Sequence, residues 1–368
     1  MTGHNAHVSV PNPVPPPRET RSVAVLMAGT FLAAVVFVAA ASAIAGVFSN
    51  TPGTAGASVG SPVVTRVQHE LVDINTVLGD TGDLAAGTGM VLTPNGEILT
   101  NNHVIQEATT IQATDVATGR NYDASVIGYD EQGDIAVLQL EGATGLPTVT
   151  LGASTGVDAG NRVVTIGNAG GLGGTPPARA GVVLARDQAI QVEDDLDGAG
   201  ESLSRLIEIR GDLQPGDSGG PMIDQSGRVV GMDTAASQSY QFSSGDGLGF
   251  ALEIDPVEQI MRQIVDRQAS ATVHIGLTGF IGVRIEPGQS SSPGAPIRSA
   301  IGGMPAANAG IGAGDLIVEL GNKTIGSATA LTEALVPYHP GQRVTIGWIT
   351  PQGLGRSATI TLATGPAA

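Results

Sequence analysis

Three groups of residues could together carry out acyl transfer. Gly216-Asp217-Ser218-Gly219-Gly220-Pro221 sets a serine among glycines, directly before the short apolar run Met222-Ile223. Glycines open backbone conformations closed to other residues and let a substrate carbonyl approach the main chain. The N–H groups of Gly216 and Ser218 could then converge on one point, as an oxyanion hole requires. Upstream, Leu99-Thr100-Asn101-Asn102-His103-Val104-Ile105 puts a histidine just after a β-type run. Gly133-Asp134-Ile135-Ala136-Val137-Leu138 puts a carboxylate at the head of an apolar strand, where it would be partly buried. A serine hydroxyl is a poor nucleophile until a neutral imidazole takes its proton, and that imidazole needs a carboxylate on its other nitrogen. His103, Asp134 and Ser218 are those three groups. Singly, each has an ordinary reading as a structural histidine, a cap and a turn. All three in the order His, Asp, Ser, inside one β-rich and cysteine-free stretch, favour the catalytic reading.

The elements that must position them are strands. From about Val67, short β-type runs alternate with turn signals: Gly89–Leu92, Ile98–Thr100, Ala124–Ile127, Ile135–Leu140, Arg162–Ile166, Ala180–Leu184, Leu206–Ile209, Met222-Ile223, Val229–Met232 and Gly249–Leu252. Roughly ten strands at this spacing without intervening helices predict a barrel or sandwich over residues 67–270. Asp255-Pro256 then reads as an N-cap with proline at N1, followed by Val257, Ile260, Met261, Ile264 and Val265 on one helical face. Residues 269–275 read as a boundary. A smaller module follows over residues 276–364, with candidate helices at Pro305–Ala309 and Ser327–Leu335. Its strands are expected at Leu316–Leu320, Arg343–Ile349 and Ser357–Leu362, with a loop over residues 286–298.

With these residues in view, the sequence resembles the HtrA family of trypsin-fold serine proteases, of the mycobacterial type. The resemblance rests on Thr100-Asn101-Asn102-His103-Val104-Ile105, Asp134-Ile135-Ala136-Val137-Leu138, Gly216–Pro221 and Gly247-Leu248-Gly249-Phe250-Ala251. Residues 276–350 resemble that family's PDZ domain. Phe280-Ile281-Gly282-Val283 is similar to its carboxylate-binding loop, and Ala306–Ile311 with Gly314-Asp315-Leu316-Ile317 to its helix and strand. The resemblance implies a mainly β fold, a double six-stranded β-barrel followed by a PDZ domain. It also implies His103 as general base, Asp134 as its orienter and Ser218 as nucleophile. The substrates it implies are unfolded or damaged exported proteins. The backbone N–H groups of Ile281 and Gly282 would hold a C-terminal carboxylate while the peptide adds a strand. No cofactor or metal is implied.

The N-terminus carries a separate message. Residues 1–22 include Pro11, Pro13, Pro15, Pro16 and Pro17 and read as a disordered arm. Ser22 to Thr65 contains no Asp, Glu, Lys or Arg, and within it residues 23–48 are almost purely apolar. As a helix that stretch would be roughly 39 Å long, enough to span a hydrocarbon core of about 30 Å. Arg18 and Arg21 precede it, so the positive-inside rule leaves the N-terminus cytoplasmic and the remainder, on the periplasmic or cell-wall side, extracytoplasmic. An uncleaved anchor competes with a signal peptide cut after Ala43-Ile44-Ala45, and both readings export the rest of the chain. Residues 49–66, rich in Gly, Ser, Thr, Pro and Ala, read as a flexible linker.

Composition narrows the partners. The 368 residues carry 17 Lys+Arg against 34 Asp+Glu, a formal net charge of −17, which argues against nucleic-acid binding. The absence of cysteine excludes disulfides, iron–sulfur clusters and thiol catalysis. His4, His7, His69, His274 and His339 show no metal-site spacing, and the acidic run Glu193-Asp194-Asp195-Asp197 reads as a solvated loop rather than a calcium site.

Three departures from the family pattern carry expectations of their own. Asp212, six positions before Ser218, occupies the offset of the specificity aspartate in digestive trypsins. It would direct cleavage after Lys or Arg if it lay in the pocket; the competing reading is a solvated carboxylate. Asp217, just before the nucleophile, resembles the residue that binds a new amino terminus in zymogen-activated proteases, and is expected here to be a local hydrogen-bonding carboxylate. The family expectation of a homotrimer lacks its usual aromatic contact, since residues 49–75 contain no Phe, Tyr or Trp.

Overall fold

The computed structural model describes residues 58–79, 83–193, 200–234, 247–286 and 293–367. The arm, the apolar segment 23–48, the first part of the linker and most of the acidic run lie outside them. Among the described residues no helix is long and apolar enough to cross a membrane.

The linker expected over residues 49–66 is folded at its end. Helix α1 (Pro62–Gln68) starts on Ser61, whose side chain accepts from the Val64 N–H, and has proline at its first position. A serine cap followed by proline is a helix start, and Val64 and Val67 bury themselves in the core.

Six strands then close the first barrel: β1 (Leu71–Leu78), β2 (Asp83–Val91), β3 (Glu97–Thr100), β4 (Ala108–Asp115), β5 (Asn121–Asp130) and β6 (Ile135–Leu140). The one-turn helix α2 (Asn102–Ile105) sits between β3 and β4. Strand order runs β5-β4-β1-β2-β3-β6, and pairing of β5 with β6 completes the ring. The second closed barrel is built from β7 (Arg162–Ile166), β8 (Ala178–Glu193), β9 (Gly200–Arg210), β10 (Pro221–Ile223), β11 (Val229–Asp233) and β12 (Leu248–Glu253). Closure leaves no sheet edge unpaired and gives each barrel an apolar interior. A larger apolar cluster joins them, in which Leu71, Met90 and Leu99 of the first barrel meet Ile166, Ile223 and Met232 of the second.

Helix α3 (Ile254–Val265) buries Val257 and Ile264 as the periodicity predicts, but starts earlier than Asp255-Pro256 suggests. The Asp255 carboxylate is not its cap. It accepts instead from Ser154 Oγ (3.0 Å) and the Thr155 N–H (3.1 Å) across the barrel. The boundary expected at 269–275 also moves, because β13 (Val273–Ile275) pairs with β5 and belongs to the first barrel.

The smaller module comprises β14 (Gly279–Phe280), β15 (Val283–Ile285), β16 (Ala295–Ala300), α4 (Pro305–Ala309), β17 (Leu316–Leu320), β18 (Lys323–Thr324), α5 (Ala328–Leu335), β19 (Arg343–Ile349), β20 (Gly355–Thr361) and β21 (Ala363–Thr364). It has its own core around Ile317, Leu331, Ile346 and Trp348. The expected loop 286–298 ends sooner, since β16 pairs with both β15 and β17.

Contacts from two places in this module reach the first barrel among the described residues. His274, on β13, and His339 stack with ring centroids 4.6 Å apart, beside Tyr129, whose hydroxyl hydrogen-bonds Thr278. These histidines are not solitary; their partnership is set by folding and leaves no spacing signal. In addition, the chain beyond β21 returns to the barrel: the Ala367 N–H donates to Ala108 O (2.8 Å) and the Glu107 N–H to Ala367 O (2.7 Å). Ala367 is buried with the first barrel's core. Each backbone bond contributes about 1 kcal/mol net. Deleting residues 365–368 should therefore make the Glu107 amide exchange at least about tenfold faster by hydrogen-exchange mass spectrometry, with β2 and β3 unchanged. Unaltered protection at Glu107 would show that the tail does not hold this turn.

Candidate active site

His103 and Asp134, 31 residues apart, meet because β3 and β6 pair with Thr100 opposite Ala136. The end of one strand and the start of the other are thereby neighbours. Asn101, extended at the N-cap of α2, does not cap it; its Nδ2 donates to the Asp134 carbonyl at 2.9 Å. Asp134 adopts φ +52°, the left-handed region that side chains seldom occupy, and its N–H donates to Glu131 O at 3.1 Å. That conformation aims the carboxylate at the helix. Oδ1 accepts the His103 backbone N–H (3.0 Å), both oxygens lie 2.9–3.0 Å from Nδ1, and Oδ2 accepts from Thr234 Oγ1 (3.3 Å). With Nδ1–H donating to the carboxylate, Nε2 of the neutral ring is left as the basic atom. Burial pushes the His103 pKa down, but the charge of Asp134 and its hydrogen bond outweigh this and hold it above the ordinary imidazole value.

Ser218 lies in the turn between β9 and β10, where Gly216 (φ +97°) and Gly219 (φ +82°) use conformations open to glycine. A side chain at 219 would collide with the Thr88 carbonyl and the Thr100 hydroxyl. The turn is gripped from the other barrel by Thr88, which has no exposed surface. Its N–H donates to Ser218 O (2.8 Å), and its hydroxyl donates to Gly216 O (2.8 Å) while accepting the Asn168 N–H (2.8 Å). Its carbonyl accepts from Thr100 Oγ1 at 2.7 Å. On the far side Gly219 N–H donates to Asp233 O (2.9 Å), and Thr234, the next residue, donates to Asp134. Ser218 is thus held on the seam between the barrels by Thr88, and the next residue, Gly219, is held by Asp233, the chain neighbour of the Thr234 that donates to Asp134. The N–H groups of Asp217 and Gly220 are taken by Gln214 O and Asp217 O, whereas the Gly216 N–H meets no acceptor among the described residues.

Under this turn lie three ionisable groups. Asp217, 1% exposed, pairs with Arg179 Nη1 (2.8 Å) and accepts the Gln214 N–H (2.8 Å). Burial raises its pKa, opposed by the Gln214 bond and the Arg179 charge. Asp233 is fully buried beside them, and burial, then the charge of Asp217, pushes its carboxyl well up. The expectation of a local carboxylate at 217 captures the Gln214 bond and misses the ion pair.

The other predicted residues fall as follows. Asp212 is exposed, and its carboxylate accepts from Gln214 Nε2 at 2.6 Å. Phe280 ends β14, Val283 opens β15, and Ile281 and Gly282 form the turn between them. Gly282 has φ +78° and faces Met304, and the carbonyls of Ile281 and Gly282 accept from the Ala306 and Ile301 N–H groups, both at 2.9 Å. No cluster of acidic and histidine side chains suited to a metal ion occurs among the described residues. Sequence reasoning missed Thr88, Asn101, Arg179, Asp233 and Thr234. Each acts through a partner distant in sequence, 128 residues away for Thr88 and Gly216, so no local spacing announces it.

Thr88→Val keeps the shape but removes the hydroxyl, leaving Gly216 O and the Asn168 N–H without their buried partner. This should slow covalent labelling of the serine about 10²-fold. Thr88→Ser should stay within about tenfold of the parent. Equal labelling rates for all three chains would show that the grip is irrelevant to reactivity.

The comparisons with known proteins agree with this architecture. Residues 87–232 match the trypsin-like peptidase domain family and residues 279–349 the PDZ domain family. The chain is 30% identical over 318 residues to serine protease PepD of Mycobacterium tuberculosis, covering 82% of this chain and 65% of that protein. It is 34% identical over 278 residues to a probable periplasmic DegP-like serine endoprotease of Bartonella henselae, covering 72% and 50%. The chain thus spans between half and two thirds of the length of these relatives. Among solved structures, HtrA-type protease AlgW with a tripeptide aligns at 24% identity and TM-score 0.47, covering 83% of this chain and 97% of that one. A trypsin-like peptidase domain followed by a PDZ domain, with this similarity to PepD and the DegP-like proteins, makes the chain a homologue of the HtrA-type serine proteases.

Proposed function

We propose that the chain is a serine endopeptidase of HtrA type that cleaves unfolded or damaged exported polypeptides. The observation that carries this reading is the His103–Asp134 pair fastened through Thr234 and Asp233 to the loop of Ser218. In the proposed reaction His103 Nε2 takes the Ser218 hydroxyl proton as Oγ attacks the scissile carbonyl carbon. The negative charge that develops on the carbonyl oxygen is received by the N–H groups of Gly216 and Ser218. The imidazolium, stabilised by Asp134, then gives its proton to the leaving amine, and water repeats the sequence on the acyl-enzyme. No cofactor is needed for these steps.

The same reading assigns the loop Phe280–Val283 to binding of peptide C-termini, with the Ile281 and Gly282 N–H groups on the carboxylate. It places both domains outside the cytoplasm, tethered to the bilayer through residues 23–48, in keeping with the periplasmic naming of the DegP-like relatives. A homotrimer is the family's assembly and is proposed on that ground. The alternative is a binding or chaperone protein with an inactive peptidase domain; the aligned His103–Asp134 pair and the intact Gly219-Gly220 weigh against it.

Fluorophosphonate labelling and casein hydrolysis test the reading. Ser218→Ala should abolish both, and persistent labelling would mean another nucleophile. The labelling rate should rise with pH as His103 loses its proton, with an inflection above the ordinary imidazole value because Asp134 raises it. Asp134→Asn removes that charge, so the inflection should move to lower pH, and turnover should fall about 10⁴-fold. Hydrolysis absent from both the parent and Ser218→Ala, with C-terminal peptides present, would favour the binding protein.

A further inference from the structure

Arg179 is the cation that faces the underside of the nucleophile turn. It stands on β8, opposite Thr165 of β7, 38 residues from the turn in sequence, and its Nη1 lies 2.8 Å from Asp217 Oδ2. The same oxygen accepts the Gln214 N–H at 2.8 Å, and the Asp217 N–H returns to Gln214 O at 3.0 Å. One carboxylate oxygen therefore closes the turn Gln214–Asp217 and anchors it to the barrel wall.

The wall leaves the turn little freedom. A side chain at Gly167 would lie 2.5 Å from Asp217 Cα, and Gly170 N–H holds Pro215 O at 2.7 Å. The titratable groups facing this pair among the described residues are Asp233, fully buried, and Asp212 at the surface. A carboxylate with Asp217's burial is stable only with a cation and hydrogen bonds; without them it takes a proton or swings out to water. Swinging out would release the turn that carries Gly216 and Ser218, its two neighbours, and protonation would weaken the bond that anchors it.

We propose that Arg179 is a positioning residue for the peptidase reaction, its ion pair with Asp217 fixing the Gly216 and Ser218 peptide groups where they receive the oxyanion. The proposal rests on Ser218 as the nucleophile. It gives the chain an internal partner for Asp217, so that the turn is set without a newly cut amino terminus. Asp233 fits the same account: burial, then the charge of Asp217, pushes its carboxyl well above the usual carboxylate range, so it competes less for the guanidinium.

The test compares fluorophosphonate labelling rates and casein kcat and KM in the full chain for Arg179→Gln, Arg179→Lys, Asp217→Asn and the double variant Arg179→Gln/Asp217→Asn. Arg179→Gln should label about 10²-fold slower, with the loss in kcat rather than KM. Arg179→Lys, which keeps the charge, should stay within about tenfold of the parent. The double variant should be faster than Arg179→Gln, because no buried charge is left unpaired. Parent-like labelling by Arg179→Gln, or a double variant whose losses simply add, would overturn the proposal. If Arg179→Gln does not fold, Arg179→Lys must still outpace Asp217→Asn about tenfold, and equal rates would overturn it. Loss of label in Ser218→Ala, measured alongside, separates failure of this proposal from failure of the nucleophile assignment.

Discussion

The carbonyls on either side of Asp217 both end on Thr88, a residue of the opposite barrel with no exposed surface. That double attachment is the constraint on which the site depends. A nucleophilic serine needs its base within hydrogen-bond reach, and Ser218 and His103, proposed for those roles, come from separate barrels whose relative placement no local motif controls. Thr88 removes that freedom. Its own carbonyl is held by Thr100, three residues before His103, so the loop of Ser218 and the helix of His103 are referred to one point. The apolar cluster shared by the barrels keeps this point dry, and buried hydrogen bonds resist exchange with water more than exposed ones do.

Around that point the carboxylates are sorted by their surroundings. Asp134 accepts from an imidazole, a backbone N–H and a hydroxyl, and its charge and hydrogen bond raise the His103 pKa. Asp217 has one guanidinium and one N–H against nearly complete burial. Asp233 has burial and a like charge beside it, and both push its carboxyl well above the usual carboxylate range. Asp73, on β1, is raised to about 6 mainly by burial, with the Gly174 N–H working against the shift. Because its folded pKa is raised, the fold is favoured most with Asp73 protonated, and that contribution is lost as pH rises through about 6.

What the sequence made legible follows the range of the interactions. His103, Asp134 and Ser218 stand in short motifs whose chemistry is local, and the strands around them announce themselves by alternation and turn residues. Leu316–Leu320, Arg343–Ile349 and Pro305–Ala309 form where the pattern predicts. The misses share a cause. Asp255 is a good cap by type, yet Ser154 and Thr155 claim its carboxylate from 100 residues away. Arg179 has no periodicity that points at Asp217, His274 none that points at His339, and Ala367 none that points at Ala108. Residues 62–66 are a milder case: Ser61-Pro62 carried the helix signal, but the small-residue composition before it masked the start.

The proposed oxyanion site is the pair of Gly216 and Ser218 N–H groups, with Thr88 retaining the turn. A crystal structure of the fluorophosphonate adduct measures it directly. The account predicts phosphorus bonded to Ser218 Oγ, the phosphonyl oxygen accepting from the Gly216 and Ser218 N–H groups, and Gly216 O still on the Thr88 hydroxyl. An adduct with the Gly216 peptide turned away, or with phosphorus on a different side chain, would contradict it.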